Sequence, residues 1–343
     1  MAKRSFPIAP LLLILTMVVF LSACAHKKKA PVEQPTGSFL EDIYATPNTS
    51  TDLEMFGKAM PSYLQYIDGA ITHASTEAAL CKVSGAYYGY AFCFAEDTDK
   101  EEASRLYLKG RDITLTELRR YGFFDNAITY NKSIDEFRKS LDDSFDKKRF
   151  QTIYWAAMNW AGWISVNLDN PEALADIPRV QAMLEFLNAF DDSYSNGVIH
   201  AVLGTLYACQ PQTDGGNLEK AREEFDKAFS CSFNSVLAFH VMHAQYYACR
   251  VPDRELFRKS LETVLKAPAN YREDMNFLNE VSKRKARFLL DNTEQYFKEP
   301  AVKAGAEPAA EPQGEAETQP QGEPETQPQG EPETQPQQER AAE

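Results

Sequence analysis

The sequence predicts an all-α chain, about four stacked antiparallel helix pairs closed by a capping C-terminal helix. Three observations predict it. Apolar residues recur at helical spacing along most of residues 51–298. Apolar segments of period two bounded by turn residues are absent, so no strand is expected. Finally, one pattern of small and large residues recurs. Leu203, Gly204 and Tyr207 on one helix precede Ala221, Phe225 and Ala228 on the next, and Tyr90, Ala91 and Phe94 precede Ala103, Tyr107 and Gly110 in the same way. Small residues let two helices approach closely, and large ones fill the grooves beside them. One such pair cannot bury its apolar face alone, so neighbours of the same kind are required.

Taken in order, the chain begins with Lys3-Arg4 and the apolar run Ile8 to Phe20, the pattern of a secretion signal too short to span a membrane. Leu21-Ser22-Ala23-Cys24 follows and resembles the lipobox of bacterial lipoproteins. That resemblance makes 1–23 a signal peptide and Cys24 the lipidated first mature residue. A residue other than Asp after the cysteine, here Ala25, favours the outer membrane in the sorting rule this resembles. Residues 24–50 read as a flexible tether, with Lys27-Lys28-Lys29 placed to meet anionic headgroups.

Residues 51–298 are the expected helical domain. Thr51-Asp52 caps a first helix whose buried stripe runs through Leu53, Phe56, Met60, Leu64 and Ile67, with a kink or break expected at Pro61. The pair spanning Tyr90 to Gly110 has the residue types and spacing of a tetratricopeptide repeat, with twelve residues from Ala91 to Ala103. A charged amphipathic helix is expected around Ser133–Phe145. The uncharged stretch 154–167 with Trp155, Trp160 and Trp163 then pairs with a helix started by Asn170-Pro171 and striped by Val180, Leu184 and Leu187. The third pair is His200–Phe229. Its interval from Gly204 to Ala221 is seventeen residues, so its turn carries a five-residue insertion within Pro211–Gly216. The fourth pair is Val236–Cys249 with Asp253–Leu265, carrying Phe257, Leu261 and Val264. A last helix over Asp274–Phe297 is expected to cover the end of the stack, with Lys283-Arg284-Lys285-Arg287 as its solvated face.

Beyond it, PQGEAETQ at 312–319 recurs as PQGEPETQ at 320–327 and 328–335. Pro, Gln, Gly and Glu without branched apolar residues cannot bury enough surface to offset ordering entropy, so 299–343 is expected to be a disordered acidic tail. Its eleven Glu against Lys303 and Arg340 carry most of the formal net charge of −14. The remaining body is mildly acidic, which argues against nucleic acid as a partner. Five cysteines remain besides Cys24. Cys209 and Cys249 occupy matching Tyr-Ala-Cys contexts, which places them about one interhelical spacing apart, roughly 8–10 Å, whereas a disulfide needs Cα atoms within roughly 7 Å. Buried thiols are therefore expected.

No enzyme constellation, metal site or cofactor motif stands out. There is no Gly-rich phosphate loop, no Gly-x-Ser-x-Gly and no His-Glu-x-x-His. His240 and His243 share a helix face but lack a carboxylate or thiol ligand nearby in sequence. Aromatics are the informative residues. Trp155, Asn159 and Trp163 are spaced i, i+4, i+8 on one face. With Tyr88, Tyr207 and Tyr247 they are the candidate lining of an apolar pocket, Asn159 orienting the ligand; plain core packing explains the same pattern. The inserted turn, through Pro211, Asp214, Gly215 and Gly216, is the candidate partner contact.

LYLKGRDITLTEL (106–118), YWAAMNWAGWI (154–164), the pair with the Gly-Gly turn, YYACRVPDRELFRKSLETVL (246–265) and the ending Asn279, Arg284-Lys285-Ala286, Leu289-Leu290, Phe297 resemble the TatT lipoproteins. These are the tetratricopeptide-like accessory component of TRAP (tripartite ATP-independent periplasmic) transporters. The resemblance covers about 52–297. It implies cryptic helical repeats, a homo-oligomeric ring (a trimer), an internal apolar pore for a small apolar or organic-acid ligand, and docking of the transporter's periplasmic solute-binding protein. It implies no catalysis. A scaffold lipoprotein that binds envelope proteins without a small ligand is the alternative.

Overall fold

The computed structural model describes residues 52–71, 76–212, 215–268 and 271–297. The expected signal peptide, Cys24, the tether, the acidic tail and Asp214 lie outside the described residues. Within them the fold is all-α, without a strand.

The first helix, α1 (Leu53–Ile71), runs on through Pro61 without dividing. The expected break is absent, and Asp52 caps the helix by accepting from the Met55 amide at 2.9 Å. α2 (Glu77–Tyr90) starts on Thr76 and passes directly into a π-helical turn over Ala91–Ala95. α3 (Lys100–Leu118) starts on Asp99, which accepts from Glu102 N. Two short helices follow, α4 (Gly122–Thr129) and α5 (Ile134–Ser144); the sequence reading missed the first. Ser133 and Glu136 close a reciprocal capping box on the second, satisfying two otherwise orphaned amides.

α6 (Phe150–Val166) is almost wholly buried, and α7 (Pro171–Asn188) begins with Pro171 in its first turn. α8 (Tyr194–Cys209) has a left-handed start, with Ser195, Asn196 and Gly197 at φ 49°, 61° and 85°. Gly197 fits there for a second reason, since a Cβ would stand 2.7 Å from Cys231 Cβ. α9 (Leu218–Cys231) is capped by Asn217. α10 (Leu237–Met242) runs into a second π-helical turn over His243–Ala248. α11 (Arg254–Lys266), α12 (Asn276–Asp291) and the short α13 (Thr293–Tyr296) complete the body.

The four pairs read from the sequence are neighbours in space: α2 on α3, α6 on α7, α8 on α9, and α10 with its π turn on α11. The most extensive seam is α3 against α6. Glycines permit it. A Cβ on Gly110 would lie 2.3 Å from Asn159 Oδ1, and one on Gly162 would lie 2.4 Å from Tyr107 Cε1. Gly204 seats Phe225 in the same way.

The last long helix, α12, departs from expectation. α12 packs on α10 and α11, but it also returns to the amino-terminal helices, with Phe277 against Phe56 and Phe94 at ring separations of 4.9 and 6.2 Å. It bridges the two ends of the helical body instead of covering one. The basic run is correspondingly not a solvated face. Lys283 and Lys285 are buried, Arg284 donates to the Cys93 carbonyl, and only Arg287 of the four is exposed. Long basic side chains can lie inside where acids meet them, and α12 finds Glu96 and Asp97 across the fold.

The five thiols outside residues 1–51 are free. Burial pushes Cys81, Cys93 and Cys209 each up to about 12, so they stay protonated and behave as small apolar groups. No described helix is long and apolar enough to cross a membrane.

Candidate functional site

α6 has two working faces. On the first, Trp155 lies over Gly85, where a Cβ would come within 2.9 Å of the indole. The Asn159 amide nitrogen donates to Ser84 O, Ser84 Oγ and Trp155 O at 3.2, 3.1 and 2.9 Å, while its Oδ1 is buried without a hydrogen-bond partner. Asn159 thus ties α6 to α2. Trp163 lies under the Arg111 guanidinium, 5.8 Å from it. This face is core.

The second face, Met158, Ala161, Gly162 and Ser165, lines an interior cavity. Val202, Thr205 and Leu206 of α8 stand opposite, with Tyr88 of α2 and Tyr107 of α3 beside them. The remaining wall comes from the two π-helical segments and the residues beside them: Phe92, with Glu96 just after its turn, and Tyr246, with Met242 just before its turn. π turns are rare and gather at functional sites, because the inserted residue re-aims the side chains around it. Here both flank one cavity. Its volume is about 30 Å³, room for a water or two. The rings fill the rest: Tyr88 stacks on Phe92 at 6.0 Å and meets Tyr107 at 5.6 Å.

One end of this apolar space is charged. Glu96 accepts a hydrogen bond from the Tyr107 hydroxyl and another from Lys285 Nζ at 2.9 Å. Lys285 also donates to Asp97 at 3.0 Å and sits 4.9 Å from the Phe92 ring centre. Its side chain is only 3% exposed. Burial alone would lower the lysine's pKa, but Glu96 and Asp97 more than offset it, leaving the ammonium held above its ordinary value. Burial and the Glu96 charge push the Tyr107 phenol well up, so it serves as a hydrogen-bond donor.

Of the candidate lining residues, then, Tyr88 lines the cavity. Trp155, Asn159 and Trp163 are not in its lining; they lie on the adjoining side of their helix, with the Trp155 ring 6.0 Å from that of Tyr88. Tyr207 donates to Glu185 at 2.9 Å beneath Lys220, and Tyr247 packs on Phe225 and His243. Pro211 and Gly215 are exposed and Gly216 is half-buried, its amide closing the turn on Pro211 O at 2.9 Å. Gly215 sits at φ 101°. His243 bonds Ser260 at 3.1 Å, and no group of three metal-ligating side chains occurs among the described residues.

Sequence reasoning missed Glu96, Lys285, Phe92 and Tyr246 as a group. Glu96 and Lys285 stand 189 residues apart, and neither π turn has a sequence signature. A buried cation was signalled faintly by Lys285 falling beside Ala286 on the stripe that includes Val281 and Leu289.

A family model described as "TRAP transporter T-component" matches residues 49–297. Among curated proteins, an "Uncharacterized protein" of Treponema pallidum (strain Nichols) is 24% identical over 208 residues, covering 59% of this chain and 62% of that one. The matched region therefore spans less than two thirds of that relative's length.

Proposed function

The chain belongs to the TRAP transporter T-component family, and on that premise we propose that it is a periplasm-facing accessory of such a transporter that docks the solute-binding protein. The single observation that carries this reading is the family match, which takes in the whole described body. In this reading lipidated Cys24 anchors the protein in the outer membrane, residues 24–50 give it reach, and the body associates as a homo-oligomer, a trimer. The interior cavity takes a small apolar ligand when Tyr88 and Phe92 swing aside, and Glu96 meets its polar end. The two π segments support this, since each can give up its extra residue to α-helical register without breaking the helix. The inserted turn at Pro211–Gly216 is a contact for the partner.

The test is capture of partners by the full-length chain from detergent-solubilised membranes. A TRAP solute-binding protein as the principal partner is the expected result. Native mass spectrometry of the same sample reads ligand and oligomer together. A second reading, a scaffold lipoprotein without a small ligand, is favoured by the cavity's size of about 30 Å³. Envelope-assembly or cell-wall proteins as principal partners, with no bound small molecule, would establish it instead. Shortening the turn by five residues should leave folding intact and weaken docking; undiminished docking would reduce the turn to a loop.

A further inference from the structure

A second recess, separate from the interior cavity, opens between α3, α4, α6 and α7. It has a volume of about 540 Å³, within the range of small-molecule pockets. No residue lines both spaces. Three arginines reach it, Arg111 from α3, Arg119 just after α3 and Arg179 from α7. Each is held in place by neighbouring side chains, some of which also line the recess. Arg111 lies over the Trp160 and Trp163 rings at 5.4 and 5.8 Å and spends Nε and one terminal nitrogen on Asp112. Arg179 is tied to the Asn131 side chain and the Lys132 carbonyl. Arg119 is tied to Asp125 and Thr129. A guanidinium has five N–H donors, so donors remain on each.

Asp112 and Asp176 also line the recess, so its charged groups sum to a single positive charge. Asp176 shows what the recess accepts. Burial raises the pKa of its carboxyl above the ordinary value, and the Trp160 indole N–H at 2.9 Å and the charges of Arg179, 3.7 Å away, and Arg111 offset part of that cost. Leu115, Ile128 and Trp160 add apolar wall. Two half-buried, preorganised guanidinium groups suit a planar, bidentate acceptor. A surplus of one positive charge suits a monoanion; two fixed carboxylates repel anything more highly charged. The apolar wall selects a hydrocarbon part over water.

We propose that this recess is a binding site for a small organic monocarboxylate, gripped by Arg111 and Arg179 with its apolar part against Leu115, Ile128 and Trp160. The site is a property of the isolated chain and does not depend on the transporter role.

The test is a fluorine NMR titration of the full-length protein with 4-fluorobenzoate. Saturable binding is expected, with neutral 4-fluorobenzamide, citrate and inorganic phosphate each binding at least tenfold more weakly. Arg111→Gln and Arg179→Gln should each weaken binding about tenfold or more, the scale of a hydrogen bond to a charged group. Arg254→Gln, far along the chain and paired with Glu294, should leave it unchanged. Arg179→Lys, which keeps the charge but loses the fork, should weaken binding as well and serves if a glutamine variant fails to fold. Absence of saturable binding at millimolar acid overturns the proposal. So does binding unaffected by the Arg111 and Arg179 variants, or amide or phosphate binding as tightly as acid. If free acid does not bind but Arg111→Gln abolishes retention of a protein partner, the recess grips a carboxylate on that protein, and the small-acid site is likewise refuted.

Discussion

Charged side chains meet α6 in two places that could hardly differ more. At the interior cavity, Lys285 is enclosed with Glu96 and Asp97 and every strong donor has an acid in reach. At the recess, Arg111 and Arg179 are also partly covered, with side chains 19% and 16% exposed, yet they open onto about 540 Å³ of accessible space. The first arrangement closes the fold, because it joins the turn after α2 to α12. The second leaves donors for something else. Both begin as basic residues on amphipathic helices; what separates them is what the fold places opposite, and that determines which charge is structural and which can recognise a ligand.

The sharpest way to break this comparison is to remove the enclosed cation. Lys285→Met leaves Glu96 and Asp97 facing each other without their ammonium, and breaking a buried pair in this manner costs about 3–5 kcal/mol. Urea unfolding should show that loss, and adding Glu96→Gln to the same chain should restore part of it. A loss under about 1 kcal/mol would mean that water reaches the pair and that the interior end is not closed.

His243 sharpens the same point from a group enclosed without an acid. Its side chain meets Ser260, Phe225, Phe229 and Tyr247, and burial, with neighbouring His240 adding to it, lowers its pKa to about 4 from an ordinary 6.5. Lys285 stays charged because carboxylates face it; His243 stays neutral because none does. The unfolded chain takes up the proton first as pH falls, so stability is complete above pH 6.5 and is lost between about 6.5 and 4. The two and a half pH units correspond to about 3 kcal/mol. His243→Gln should flatten that part of the stability–pH curve.

Gly162 tests the seam between the two places. A Cβ there would overlap the Tyr107 ring, the same ring whose hydroxyl bonds Glu96. Gly162→Ala should cost about 1–3 kcal/mol by overpacking. Gly69→Ala, with nothing within 4 Å of the added carbon, should stabilise α1 by about 0.5–1 kcal/mol. Thermal unfolding of the two variants side by side separates overpacking from helix propensity.

Much of the fold was legible in residue spacing. Phe225 between Ala221 and Ala228, and Tyr107 between Ala103 and Gly110, are wholly buried where the pattern required. Asn170-Pro171 and Asp253 start helices as their chemistry dictates. The site was much less legible. Trp155, Asn159 and Trp163 do share a face, but periodicity says which residues face together and not whether their partner is a helix or a void. Lys285 was misread because four basic residues in five look solvated until Glu96, 189 residues away, is placed beside them. The π turns were invisible because a one-residue register shift within a helix leaves no mark on composition.

Arg111→Gln should have the smallest effect on stability and so completes the contrast. The substitution removes an ion pair with Asp112, which is itself 59% exposed, and a stacking contact over Trp160. Pairs of that kind are worth about 1 kcal/mol or less. The methylene stem of Gln still covers part of the indole, so little packing is lost. If the recess were structural, as the Glu96–Lys285 end is, loss of Arg111 would destabilise the chain severalfold more than this, and ligand and stability would fall together. A variant that melts with the parent while losing its affinity for a carboxylate would show that these arginines serve recognition and contribute little to holding the helices together.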